Sequence, residues 1–196
     1  MFKNLFKRSK QKPDSKLLAQ KVNDSTLKML FSDLYMHYYD VHRSPDPTNP
    51  EWQNQGCFFW KADEPFERKS LPPHFTGLDK KHFTVNDIPS NISVSVGTAA
   101  PWFGMPGGGQ KYCFKMNNQV IPISDLINNG SISYIEEIEL SDDNLSVLHD
   151  RDNYLLLVNP ESVRYVQGND SFYVNEEKMT LGQIFTEGYI KVIKAK

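Results

Sequence analysis

The sequence predicts an α+β chain, with a helical N-terminal segment packed on a mixed, largely antiparallel β-sheet. Apolar residues recur at spacings of three and four from Leu27 to Tyr38, and short β-branched and aromatic runs follow one another from Gly56 onward. Between them Ser44–Pro50 holds three prolines in seven residues, which forces a loop or linker. At 196 residues, with 39% hydrophobic and 23% charged residues, the chain is long enough for one substantial core and has ordinary globular composition. A net charge of −2 supplies no drive toward nucleic acid.

Residues 1–14 read as a basic flexible tail. Lys3, Lys7, Arg8, Lys10 and Lys12 precede any acid, and Phe2, Leu5 and Phe6 form too short a stripe for a stable membrane anchor. The stretch lacks the apolar run and small-residue site of a signal peptide, and nothing in the chain approaches the length of a membrane span. Residues 15–43 read as the helical segment. Ser25–Tyr39 is its main helix, with Asp24 or Ser25 as N-cap, and Lys16–Val22 is a shorter one.

After the 44–50 linker, residues 51–140 read as one β-rich domain and 141–196 as its C-terminal extension. Cys57–Trp60, His82–Val85, Ser93–Val96 and Tyr112–Met116 carry strand signals. Ile123–Asn129 reads as a short helix stopped by Gly130, Ser131–Leu140 as an imperfect strand, and Tyr154–Val158 and Val163–Val166 as buried strands. The order of strand, turn, short helix, glycine and strand over Tyr112–Ile135 recurs over Phe172–Ile193, either by duplication or by chance. Glu136, Glu137, Glu139, Asp142 and Asp143 read as a solvated edge rather than a cation site. Cys57 and Cys113 lack CxxC spacing and are expected to be reduced thiols; no metal site is expected.

The densest conformational signal is Ser93–Tyr112, SVSVGTAAPWFGMPGGGQKY, which holds five of the eleven glycines. Ser93–Val96 alternates like a half-buried strand ended by Gly97. Pro101 and Pro106 fix φ, and Gly107, Gly108 and Gly109 permit positive φ and close backbone approach. Two readings stand: a shaped loop whose Trp102 and Phe103 plug the core, or a binding loop in which those rings and free glycine N–H groups meet a flat anionic ligand. GxxxxGK[ST], GxSxG and HExxH are absent, which excludes the P-loop, serine-hydrolase and zinc-peptidase motifs.

The run GTAAPWFGMPGGGQKY, preceded by Pro65-Phe66-Glu67-Arg68-Lys69-Ser70-Leu71-Pro72-Pro73, resembles the TNT-type toxin domain, a family named after the tuberculosis necrotizing toxin. The resemblance covers roughly residues 56–135. It implies an NAD(P)+ glycohydrolase that cleaves the nicotinamide–ribose bond. NAD+ or NADP+ is then a substrate with no further cofactor, the role is that of a toxin or effector, and a cognate immunity protein is a possible partner. Localisation would be cytoplasmic, or secreted by a route independent of a signal peptide.

The family places a glutamine immediately before the tyrosine that follows its glycines; here Lys111 stands there and Gln110 one position earlier. The family histidine lies in a strand that matches Lys80–Val85, where His82 falls one residue late. The arginine expected before Gly56 is replaced by Pro50-Glu51-Trp52. On the resemblance, His82 and Gln110 are the catalytic candidates, with His74 in reserve. Arg68 and Lys69 would meet the pyrophosphate, Trp102 and Phe103 would form a stacking wall, and Gly107, Gly108, Gly109 and Lys111 would line the substrate. The alternative is a noncatalytic relative that binds a dinucleotide or a protein partner in a regulatory or immunity role.

Overall fold

The computed structural model describes residues 14–39 and 58–194. Residues 1–13 of the basic tail, the 44–50 linker and Cys57 lie outside them. In chain order the elements are α1 (Ser15–Asn23), β1 (Lys28–Phe31), β2 (Tyr35–Tyr39), β3 (Trp60–Lys61), α2 (Phe66–Lys69), β4 (Asp79–Val85), β5 (Ile92–Thr98), β6 (Gln110–Met116), β7 (Gln119–Val120), α3 (Ile123–Asn128) and β8 (Ile132–Tyr134). There follow β9 (Tyr154–Val158), β10 (Arg164–Val166), β11 (Ser171–Val174), β12 (Glu177–Met179), α4 (Leu181–Thr186) and β13 (Ile190–Lys194). The class is α+β. All the strand pairs in the described sheets are antiparallel except β1 with β9.

The long N-terminal helix is not formed. Asp14 caps α1 by accepting the Lys16 N–H at 2.8 Å, and the helix ends at Asn23. Ser25–Tyr39 is instead two strands separated by Ser32–Leu34. Apolar side chains crowd this stretch on more than one helical stripe, because Met29 and Met36 are apolar as well. Phe31, Tyr35, Tyr38 and Tyr39 favour a pleated backbone. Long-range pairing of β1 with Leu155–Val158, and of β2 with β4, then overrides the helical spacing.

Two compact units result, one over Ser32–Ile135 and the other from the chain on either side of it. In the flanking unit, β1-β9-β13 form one sheet and β10-β11-β12 another. Its core gathers Val22, Leu148, Leu156, Val158, Phe172, Ile184, Ile190 and Val192. Residues after Glu136 therefore share a core with α1, not with the glycine loop.

The Ser32–Ile135 unit holds two sheets, β3-β2-β4-β8 and β5-β6-β7. A bridge between Phe59 and Tyr112 links them, with reciprocal N–H···O bonds of 3.0 and 2.9 Å. Phe59 stacks on Tyr112 and Phe114 and meets Phe83 edge-on at 5.3 Å, while Tyr35 packs against Phe59, Phe83 and Tyr112. This aromatic cluster is the floor on which β6, and with it the end of the glycine loop, is set.

Candidate functional site

The glycine loop is a hairpin built on the β5–β6 ladder. Thr98 pairs with Gln110, so β5 runs through Gly97 to Thr98. The ladder continues as Ala99 N–H donates to the Gly109 carbonyl at 2.9 Å and Gly108 N–H to the Ala99 carbonyl at 2.8 Å. At the tip, Phe103 (φ +51°) and Gly104 (φ +73°) turn the chain between Trp102 and Met105, which form a bridge. Positive φ at both central residues is the turn whose twist matches a β-hairpin. Trp102 and Phe103 stack at 4.5 Å and 18°, and they remain 68% and 40% exposed. The aromatics therefore do not plug the core: the hairpin tip holds them in solvent.

The glycine run docks on α2. Gly107 N–H donates to the Glu67 carbonyl at 3.3 Å, and Gly109 N–H to the Arg68 carbonyl at 2.9 Å. The free glycine donors expected from sequence are thus taken up within the protein. Glycine is required for the approach itself. A Cβ on Gly107 would lie 2.5 Å from the Ala99 oxygen, and one on Gly109 would lie 2.6 Å from the Arg68 oxygen.

Arg68 answers this contact by donating from Nη2 to the Gly108 carbonyl at 3.0 Å, while its Nε lies 3.2 Å from Glu64 Oε1. The other Glu64 oxygen accepts the Gln110 N–H at 3.3 Å. Lys69, buried beside them, donates from Nζ to the Glu64 main-chain carbonyl. Burial, with Lys80 nearby, holds the Lys69 amine below its ordinary range. The carboxamide oxygen of Gln110 accepts the Tyr112 hydroxyl at 2.5 Å, which anchors the side chain to the aromatic floor.

Arg68, Lys69, Gly107, Gly108, Gly109 and Gln110 thus meet in one cluster, with Trp102 and Phe103 at the tip of the same hairpin. Lys111 belongs to the other face of β6, where its ammonium sits 4.5 Å from the centre of the Phe58 ring. His82 is half-buried on β4, paired in register with Met36, and its carbonyl accepts the Ile135 N–H. Its side chain projects from the face opposite Phe83, the ring that joins the aromatic floor beneath Gln110. His74 is exposed beside Phe75. A histidine the sequence left without a role, His37, is buried between Tyr134 Oη at 2.8 Å and the Tyr38 carbonyl at 3.1 Å. Desolvation lowers its pKa from the ordinary 6.5.

Sequence reasoning missed Glu64 and Tyr112. The signal for Glu64 was present in its spacing of four from Arg68, although Glu64 lies just before α2 and not within it. Cys113 is buried and unbridged. Among the described residues no cluster of three or more His, Cys, Asp or Glu could hold a metal, and no helix is long and apolar enough to cross a membrane.

The family model described as Tuberculosis necrotizing toxin matches residues 52–135, a span that contains every residue of the cluster. A solved structure, that of tuberculosis necrotizing toxin complexed with its immunity factor, is 17% identical, with a TM-score of 0.41. The match covers 53% of this chain and 48% of that one, about half the length of each. No curated protein matches. Over residues 52–135, from before the aromatic floor to the end of β8, this chain is similar to the tuberculosis necrotizing toxin family.

Proposed function

We propose that the Ser32–Ile135 unit is a dinucleotide-directed glycohydrolase. In this reading water replaces nicotinamide on the ribose C1′ of NAD+ or NADP+, giving nicotinamide, the ADP-ribose product and a proton. One observation carries the reading: Arg68, Lys69 and Gln110 converge at the base of a hairpin that presents a stacked Trp102–Phe103 pair, inside the segment matched to the toxin family. Arg68 is 52% exposed, and its free edge suits a pyrophosphate oxygen. The aromatic pair offers a face to the flat nicotinamide or adenine ring. With its carbonyl oxygen engaged by Tyr112, Gln110 has its amide N–H groups as the donor end toward a ribose hydroxyl. As the positive charge of nicotinamide moves onto the ribose in the transition state, acceleration comes from orientation and exclusion of bulk water rather than from acid chemistry on the leaving group.

The test is release of free nicotinamide from NAD+ and NADP+, followed by chromatography, for the parent chain and for Gln110→Ala. Release by the parent and a loss of at least about 100-fold in the variant is the expected result. Equal rates in the two remove Gln110 from the site.

A second reading draws on the position of His82. Its side chain leaves β4 on the face away from the Gln110 cluster, which favours a noncatalytic relative that binds a dinucleotide or a protein. In that case the exposed Trp102 and Phe103 serve as aromatic anchors for a partner, an immunity protein being the kind with which the similar toxin is complexed. Dinucleotide binding without nicotinamide release is the result that selects it.

A further inference from the structure

Glu64 is nearly buried, its side chain only 12% exposed, and the reaction outlined above gives it no task. An exposed helical pair of carboxylate and guanidinium contributes little and needs no burial. Glu64 differs in being nearly buried and in lying outside the helix. One oxygen faces Arg68 Nε at 3.2 Å, the other accepts the Gln110 N–H at 3.3 Å, and its own carbonyl receives Lys69. A Cβ on Gly109 would meet the Glu64 carboxyl carbon at 3.0 Å, so the loop is a glycine where the carboxylate must come close. Arg68 thus donates from Nη2 to the Gly108 carbonyl and has its Nε in ion-pair contact with Glu64 Oε1, a buried oxygen that receives no hydrogen bond, while its side chain is 52% exposed.

From this geometry we infer that Glu64 is the positioning residue of the site. It fixes the guanidinium of Arg68 and the main chain at Gln110 in one frame, so that the phosphate-facing and ribose-facing groups arrive pre-set at the same dinucleotide. The inference rests on the dinucleotide reading and deepens it. It also has a sign that a simple counter-charge would not share. Removing the negative charge beside Arg68 raises the local positive potential, so a carboxylate that served only to offset charge would, when neutralised, let phosphate bind more tightly. A positioning carboxylate gives the opposite: binding weakens although the site becomes more positive.

The experiment is a binding cycle by titration calorimetry with NAD+ on the parent, Glu64→Gln, Arg68→Ala and the double variant. Thermal melts confirm that each is folded. Glu64→Gln is expected to raise Kd on the order of tenfold, with Arg68→Ala adding little further in the Glu64→Gln background, because the two side chains act as one unit. Tighter binding by Glu64→Gln, or effects of the two substitutions that simply add, overturns the inference while leaving the dinucleotide reading in place. A parent that binds neither NAD+ nor NADP+ sinks the reading on which the inference rests.

Discussion

Gly107 shows how narrowly single residues set the site. Its φ is +68°, and an added Cβ would fall 2.5 Å from the Ala99 oxygen. Gly107→Ala is therefore expected to cost about 2–4 kcal/mol in urea unfolding, with strain and overlap acting together. Gly97→Ala is the control: that glycine lies in β5 with nothing within 4 Å of an added Cβ, and its replacement should change stability by no more than about 0.5 kcal/mol. Equal effects at the two positions would contradict the close approach of Gly107 to Ala99 within the hairpin. His37 carries a pH signature. Burial lowers its pKa below 6.5, so the folded protein binds fewer protons than the unfolded chain in the window beneath that value. Stability is full above pH 6.5 and falls as pH drops through the window toward the folded pKa. His37→Gln should flatten this part of the stability profile, as measured by urea unfolding from pH 7.5 to 5. A variant with the parent's slope would assign the dependence to other groups.

At the level of elements, β5 reverses the expectation its alternation raises. Val94 and Val96 face the same side as Phe114 and Tyr112, yet they are 47% and 55% exposed, because β5 is an edge and the aromatic floor covers only β6. Ile92–Thr98 carries no charge and no proline, which are the usual devices that keep an edge from pairing with another chain. Val94→Lys with Val96→Lys is expected to lower concentration-dependent self-association in sedimentation velocity while changing unfolding free energy by less than about 1 kcal/mol. Unchanged sedimentation at high concentration would show that this edge is not the sticky one. The repeat suspected from sequence is present in backbone form. β6, a turn at Asn117–Asn118, β7, α3, Gly130 and β8 match β11, a turn at Asn175–Glu176, β12, α4, Gly188 and β13. Both turns have positive φ at their two central residues, and both glycines do as well. The chemistry of the turns made this legible. The N-terminal helix was misread because helical and strand periods both fit a stretch so rich in apolar residues, and only the pairing of β1 with β9 and of β2 with β4 decides between them.

Across the whole molecule two cores form, and each draws its buried residues from its own unit. Phe83 is fully buried in the aromatic one. Phe83→Ala should destabilise the Ser32–Ile135 unit by about 3–5 kcal/mol. Amide exchange should then accelerate in β4 and β6 more than in Leu156–Val158 and β13. Uniform acceleration over both sets would mean that the cores unfold as one. The partition was not legible from local pattern. The sequence suggested a single domain from 51 onward, whereas the segment after Glu136 takes its core partners from α1 and β1, far away in the chain.

By itself the sequence determined what depends on neighbours along the chain: strands at His82–Val85 and Tyr112–Met116, which the structure extends to Asp79–Val85 and Gln110–Met116, the α+β class, and the turning of the chain at the glycine run. Tertiary structure alone decided which of these meet. It directed the Gly107–Gly109 donors into α2, left Trp102 in solvent, set His82 on the face opposite Phe83, and gathered Arg68, Lys69 and Gln110 on Glu64. The physical reason is range. Turn type and alternation are fixed by sterics within a few residues, whereas burial and the facing of side chains follow from strand pairings between segments far apart in sequence, whose energies no local pattern contains.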